Sequence, residues 1–218
     1  MWKFSGFAAL ALASMVGTAA QGAELLANGS FEAPVSLNVD GYCYQGVPGV
    51  DCGGVQGWTG DAPIQISATS AAWGNPGSLG GFDSSFGQQL AGLQNQGSMT
   101  QNVSGIGGTY TLSWFDAGRL DTDSQSYDVR FDGYVLGNFS VAPGQGWTSH
   151  SLSFVAGGGL ETLQFVGVGT QADGTAFLDK VSLTDASVSP VPEPDSVALM
   201  LAGLGVLGSL SRRRIRAE

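Results

Sequence analysis

The chain predicts an antiparallel β-sandwich, on three observations. No long stretch carries apolar residues every three or four positions, the spacing that an amphipathic helix needs. Short runs of alternating apolar and polar residues recur instead, as half-buried strands require. Thirty-five glycines punctuate the chain, and its 43% hydrophobic content is too high for a disordered one, so the glycines mark tight connections.

The elements follow in order. Lys3 precedes an apolar stretch, Phe7 to Val16, and then the small residues Thr18, Ala19 and Ala20. That is the layout of a secretory signal peptide, with cleavage expected near Ala20 and with Gly22 or Ala23 as alternatives. A buried first helix is the competing reading, and the sharp change to Gly/Asn/Asp-rich sequence speaks against it. Residues 1–22 are therefore assigned to the signal peptide and 24–185 to one exported domain, large enough for a real core. The two cysteines, Cys43 and Cys52, lie close together in CYQGVPGVDC. In an oxidising compartment a disulfide is expected over a reduced pair.

TYTLSWF, from Thr109 to Phe115, places Tyr110, Leu112 and Trp114 on one face and Thr111, Ser113 and Phe115 on the other. SYDVRFDGYVLGNFSV reads as two strands around Asp132-Gly133, with Tyr127, Val129 and Phe131 aligned before the turn. WTSHSLSFVA, ETLQFVGVG and TAFLDKVSLT complete the series. In the last of them, a period of two puts Phe177, Asp179, Val181 and Leu183 on one face. If that face is buried, Asp179 is buried with it and needs a partner or a metal; the alternative is a bulge that turns Asp179 to solvent.

After the domain comes a linker, 186–195, and then a hydrophobic segment with an Arg-rich end, 196–218. The run Val197–Leu210 is uncharged and 14 residues long, and Arg212, Arg213, Arg214 and Arg216 follow it. As a helix it reaches only about 21 Å, against ~30 Å of bilayer hydrocarbon. It would hold the chain only weakly in a membrane, with its arginines on the cytoplasmic side.

Charge narrows the partners. From Glu24 to Asp185 there are three basic and fifteen acidic residues, a net charge of −12. Nucleic acid and anionic membrane both need Lys and Arg to neutralise phosphate, so neither is expected as a partner of the domain. Catalytic chemistry finds little support. The single histidine, His150, has no acid beside it in sequence, and one histidine with two cysteines expected to be oxidised cannot make a zinc site. Asp121, Asp123 and Asp128 in DTDSQSYD begin like a calcium loop, but Ser126 and Asp132 stand where that loop needs Gly and Glu. A solvated acidic loop is the better reading.

Two resemblances add to these readings. ELLANGSFEAP (Glu24–Pro34), VQGWTG (Val55–Gly60), GGTYTLSW and AFLDKVSLT resemble the galactose-binding-like jelly rolls of many carbohydrate-binding modules. The likeness implies a jelly-roll sandwich whose opening segment pairs with its closing strand. It also implies a structural Ca²⁺ between the two, at Glu32 and Asp179; Lys180 departs from the family pattern, which often has a second Asp there. Pro192-Glu193-Pro194, the apolar run and the arginine cluster, in that order, are similar to the PEP-CTERM sorting signal of Gram-negative exopolysaccharide producers. That likeness implies export, transient anchoring in the inner membrane and cutting near Pro-Glu-Pro by an exosortase. A plain C-terminal anchor helix is the alternative.

Sugar recognition needs exposed aromatic planes beside polar groups. Trp73, in the loop SAAWGNPG, is expected to offer one, with Phe115 and Arg119 lining a groove. Packing of Trp73 against the Cys43–Cys52 segment is the alternative, and Trp58, Trp114 and Trp147 are expected in the core. Three functions stand: a non-catalytic module that binds extracellular polysaccharide at the cell surface, a structural matrix or biofilm protein, and, ranked last, a polysaccharide-active enzyme.

Overall fold

The computed structural model describes residues 22–33, 37–49, 51, 53–61, 63–105, 107–170, 173–185 and 204. The chain forms two compact units, Gly22–Val188 and Met1–Gln21 with Ser189–Glu218. Only Leu204 of the second unit is described. The expected signal peptide, apart from residue 22, the Pro192–Pro194 motif and Arg212–Arg214 therefore lie outside the described residues. Among the described residues, no helix is long and apolar enough to cross a membrane.

Ten strands build the larger unit: β1 (Tyr42–Tyr44), β2 (Ile64–Ser67), β3 (Gln89–Gln94), β4 (Ser98–Gly105), β5 (Gly108–Gly118), β6 (Gln125–Phe131), β7 (Tyr134–Val141), β8 (Thr148–Ala156), β9 (Gly159–Gly167) and β10 (Thr175–Asp185). They form a six-stranded sheet, β1-β2-β3-β10-β5-β8, and a four-stranded sheet, β4-β9-β6-β7. Every strand pair is antiparallel. The fold is a jelly-roll sandwich. The opening segment runs beside β10, with Leu25 N–H donating to Leu183 O at 2.9 Å and Glu24 bridging Thr184. The Asp132-Gly133 turn has φ of 47° and 81°, the two positive values that a type I′ hairpin demands.

Alternation decides what is buried. Tyr110, Leu112 and Trp114 of β5 meet Tyr127, Val129, Leu163 and Phe165 of the facing sheet, all at 0% exposure. Such side chains each contribute roughly 1.5–3 kcal/mol relative to exposure. The outer face of the six-stranded sheet is buried too. Ile64, Ile66, Leu90, Ala117 and Phe177 are covered there by Trp73, Phe86 and Trp147. As expected, Trp58, Trp114 and Trp147 are core residues.

β10 corrects one expectation. Phe177 belongs to the outer cluster, whereas Val181 and Leu183 point into the sandwich interior with Leu178. The register shifts between Asp179 and Ser182, and Lys180 takes φ of 50°. This bulge adds one residue to the strand and exchanges its faces. It does not turn Asp179 to solvent, because Asp179 remains at 0% exposure under the loop that covers the outer face.

Candidate functional site

The connection from β2 to β3, residues 68–88, is folded onto the six-stranded sheet by three short 3₁₀ turns, Ala71–Trp73, Pro76–Ser78 and Ser84–Phe86. Gly74 ends the first with φ of 73°, and Asp83 caps the third by accepting from Ser85 N–H at 2.7 Å. These turns drop Trp73 and Phe86 onto the sheet.

Trp73 is therefore not the exposed plane that sugar stacking would use. It is 3% exposed and packs on Tyr42 at 5.7 Å, Tyr44 at 6.2 Å and Phe177 at 6.5 Å between ring centres. Tyr42 and Tyr44 flank Cys43, so the packing alternative is the one the fold adopts. Burial of an apolar ring wins because β2, β3 and β10 leave an apolar outer face that only this loop can cover. Arg119 lies over Trp73, its guanidinium carbon 4.3 Å from the ring centre. It also donates to Asp173 at 2.9 Å and to Ala72 O at 3.0 Å. Gln94 and Tyr44 extend this polar rim, Gln94 Nε2 donating to Asp173 at 2.6 Å and Tyr44 O–H to Gln94 at 3.2 Å. Burial pushes the Tyr44 phenol above its ordinary value, and neighbouring Tyr42 adds to the shift. Phe115 stands apart from this group, edge-on to Phe86 at 5.1 Å and beneath Lys180.

Two cavities open along the same connection, and sequence reasoning missed them. One of about 460 Å³ is lined by Ser67, Thr69, Asn75, Ser78 and Gln88 around the ring of Phe82. Another of about 330 Å³ shares Ser67 and Thr69 and reaches Asp40 and Ala72, whose carbonyl takes the Arg119 hydrogen bond. Hydroxyls and amides beside an aromatic ring offer both donors and acceptors to a polyol. The Ser/Thr/Asn/Gly density of residues 67–78 was the available signal.

Glu32 and Asp179 are near enough for the charge of one to act on the other. Burial raises the Asp179 carboxyl to about 8, the Lys180 N–H that it accepts opposes this, and the charge of Glu32 adds to it. Glu32 Oε1 accepts from Gln88 N–H at 2.8 Å and Gln89 N–H at 2.9 Å. Gly87 is required beside it, since a Cβ there would collide with Glu32 Oε1 and φ is 80°. Asp179 Oδ2 and Gln89 Oε1 are both buried without a hydrogen-bond partner. Phe31, with φ of 56°, and Lys180, with φ of 50°, place strained backbone on both sides of the pair. Orphaned oxygens beside two carboxylates are the donor set of a hard cation, and these residues fit calcium. Among the described residues no group of three or more His, Cys, Asp or Glu side chains stands together, so amide and main-chain oxygens would have to complete the shell.

His150 does have an acid, brought by strand pairing rather than by sequence. Its Nε2 lies 2.9 Å from Asp116 Oδ1, although the two atoms are not aligned as a hydrogen bond. Asp116, at 0% exposure, accepts from Tyr127 O–H at 2.7 Å, and that oxygen accepts from Trp114 Nε1 at 2.9 Å. Burial pushes the Tyr127 phenol upward and Asp116 pushes it further. The network ties the two sheets together. Asp128 is not in a solvated loop as expected but lies on β6 at 6% exposure, held by Arg130 at 2.6 Å and by Asn138. Cys43 is buried on β1, none of the described cysteines is free, and Cys52 lies outside the described residues.

Residues 190–215 match the PEP-CTERM protein-sorting motif. No curated protein matches the chain. Among solved structures, the CBM36-1 domain of a multidomain xylanase from the hindgut metagenome of Trinervitermes trinervoides is 18% identical, over 45% of this chain and 79% of that one, with a TM-score of 0.38. A CBM35 from Paenibacillus barcinonensis is 15% identical over 60% and 94%, with a TM-score of 0.39. A carbohydrate-binding module CBM36 in complex with calcium and xylotriose is 13% identical over 44% and 77%, with a TM-score of 0.36.

Proposed function

We propose that this chain is an exported, exosortase-processed protein of the Gram-negative cell surface or extracellular matrix, whose jelly roll binds glycan without catalysis. The observation that carries the glycan reading is the cavity of about 460 Å³ in which Ser67, Thr69, Asn75, Ser78 and Gln88 ring Phe82. A sugar would set an apolar CH face on Phe82 and exchange hydroxyl hydrogen bonds with the rim. Trp73 supports this connection from beneath, Arg119 clamps Trp73, and the Arg119–Asp173 rim extends the polar surface; Phe115 steadies Phe86 rather than touching the ligand.

The remaining assignments belong to the same proposal. Cys43 pairs with Cys52. Glu32, Asp179 and Gln89 Oε1 hold a structural Ca²⁺, which would supply the positive charge that Asp179 lacks. The sorting motif at 190–215 supports transient anchoring in the inner membrane and cutting at Pro192–Pro194, after removal of 1–22. Arg212, Arg213 and Arg214 would stay on the cytoplasmic side.

The test is binding of the secreted protein to the producing organism's own exopolysaccharide, with Ca²⁺ and with EDTA. Binding that Gln88→Ala and Asn75→Ala weaken together supports the reading. Absence of any glycan binding would give first place to a structural matrix protein, and sugar release would show an enzyme.

A further inference from the structure

A third cavity, of about 200 Å³, opens at the other end of the sandwich, between the β6–β7 turn and the β8–β9 turn. Arg119 follows the last residue of β5, and this cavity flanks its first; β5 is 11 residues long, roughly 33 Å end to end. Phe131, Phe154 and Val155 are among its apolar walls, and Tyr134, Asp132 and Glu161 bring the polar groups of its side chains. Tyr134 is 76% exposed and Val155 79%, an unusual amount of apolar surface to leave in water.

Glu161 is the telling residue. Residues Glu161, Leu163 and Phe165 form the interior-facing row of β9, so a carboxylate begins a row that is otherwise core. Glu161 is 6% exposed, Oε1 accepts from Gly158 N–H at 3.1 Å, and Oε2 is buried with no partner among the described residues. A buried carboxylate accepts hydrogen bonds and cannot donate them, so an unfilled oxygen there is costly until a donor arrives. The cavity's own side chains offer one donor, the Tyr134 hydroxyl. The cations of the domain are engaged elsewhere: Arg119 with Asp173, Arg130 with Asp128, and Lys180 over Phe86. Among the described residues no donor meets Glu161 Oε2, so a ligand can supply one.

We propose that this cavity binds one amino-sugar unit carrying a free amine, as in a cationic glycan, at a site separate from the loop cavity. Its ammonium would meet Glu161 and Asp132, and its apolar ring face would lie on Tyr134. Acceptor-only side chains in a domain of net charge −12 favour a cationic ligand and repel an acidic one. The cavity is smaller than the ~300–1,000 Å³ of pockets that enclose a drug-sized ligand, so it suits one sugar unit and not a run of them. With a site at each end, one molecule would bridge two polysaccharide strands.

The experiment is calorimetric titration of the full chain in mild detergent with a β-1,4-linked glucosamine tetramer, all amines free, and with its fully N-acetylated counterpart. The expected result is binding of the free-amine tetramer only, weakened about tenfold or more by Glu161→Gln and by Tyr134→Ala. Tyr134 is a surface ring, so its removal tests the site even if Glu161→Gln fails to fold. Gln88→Ala, in the loop cavity, should leave this binding unchanged, which separates the site from the function proposed above. No binding, equal binding of the acetylated tetramer, or indifference to Tyr134→Ala would each overturn the proposal. An equal loss in Asp123→Asn, an exposed carboxylate outside the cavity, would reduce it to general charge attraction. Concentration-dependent dimerisation abolished by Tyr134→Ala would assign the surface to a second copy of the chain instead.

Discussion

The guanidinium of Arg119 sits 4.3 Å above the centre of the Trp73 ring while its NH1 holds Asp173 at 2.9 Å. One side chain thus joins a buried aromatic floor to a polar rim. The relationship separates packing from recognition in a way that can be measured.

Trp73→Ala should lower stability by about 3–5 kcal/mol, the range for emptying a buried aromatic site. Arg119→Ala should cost only about 1 kcal/mol, because the cation–π contact is partly solvated and the exposed Asp173 partner adds little. Denaturant melts of both variants and of the double variant check this. A Trp73→Ala protein as stable as the parent would contradict the packed position.

Asp179 makes apo stability depend on pH. Folding raises its carboxyl from an ordinary 3.8 to about 8, so the folded state favours the proton. That contribution is fully present below pH 3.8 and is lost as pH rises through about 8. In EDTA, the melting temperature of the parent relative to Asp179→Asn should therefore fall across this interval. A difference that stays flat would show that Asp179 is not held protonated.

Calcium should reverse that loss. Binding at Glu32 and Asp179 would stabilise the fold by ~2.7 kcal/mol at a hundredfold excess over Kd. Melting curves at pH 8 with EDTA and then with Ca²⁺ should separate, and Asp179→Asn should bring them together. An unchanged midpoint in the parent removes the site.

Tyr127→Phe should cost about 1–3 kcal/mol, since Trp114 Nε1 and Asp116 Oδ2 then lose a partner while staying buried. Chemical denaturation measures it. The loss should exceed that of Ser153→Ala, whose hydroxyl bond to Tyr110 O is long, at 3.3 Å.

The protein recovered from cell surface or medium should begin near residues 21–24 and end near Pro192–Pro194. Intact mass decides this. Arg212–Arg216 retained in that pool would leave a plain anchor in place of a sorting signal.

Strand chemistry was legible where alternation is local. Tyr110, Leu112 and Trp114 on β5 and the Asp132-Gly133 turn needed only neighbouring residues to declare themselves. The faces of β10 were not legible, because a lysine at φ of 50° carries no signature of a bulge. Nor was the burial of Trp73, since the sequence does not say that a sheet's outer face will be roofed by its own connection. Asp116 meets His150 diagonally across two strands, and Glu161 becomes conspicuous only once the inward row of β9 is known. Sites assembled by register are invisible to linear spacing.

The pairing of Glu24 with Thr184, and of Ala23 O with Asp185 N–H, brings the two ends of the sandwich domain side by side. A chain whose ends touch can be joined there and opened elsewhere. A circular permutant that links 185 to 22 through a few glycines, with new ends at the exposed Asp132-Gly133 turn, should keep the same sheets. The same geometry would let the domain be spliced into a surface loop of an unrelated host, entering and leaving through one narrow opening.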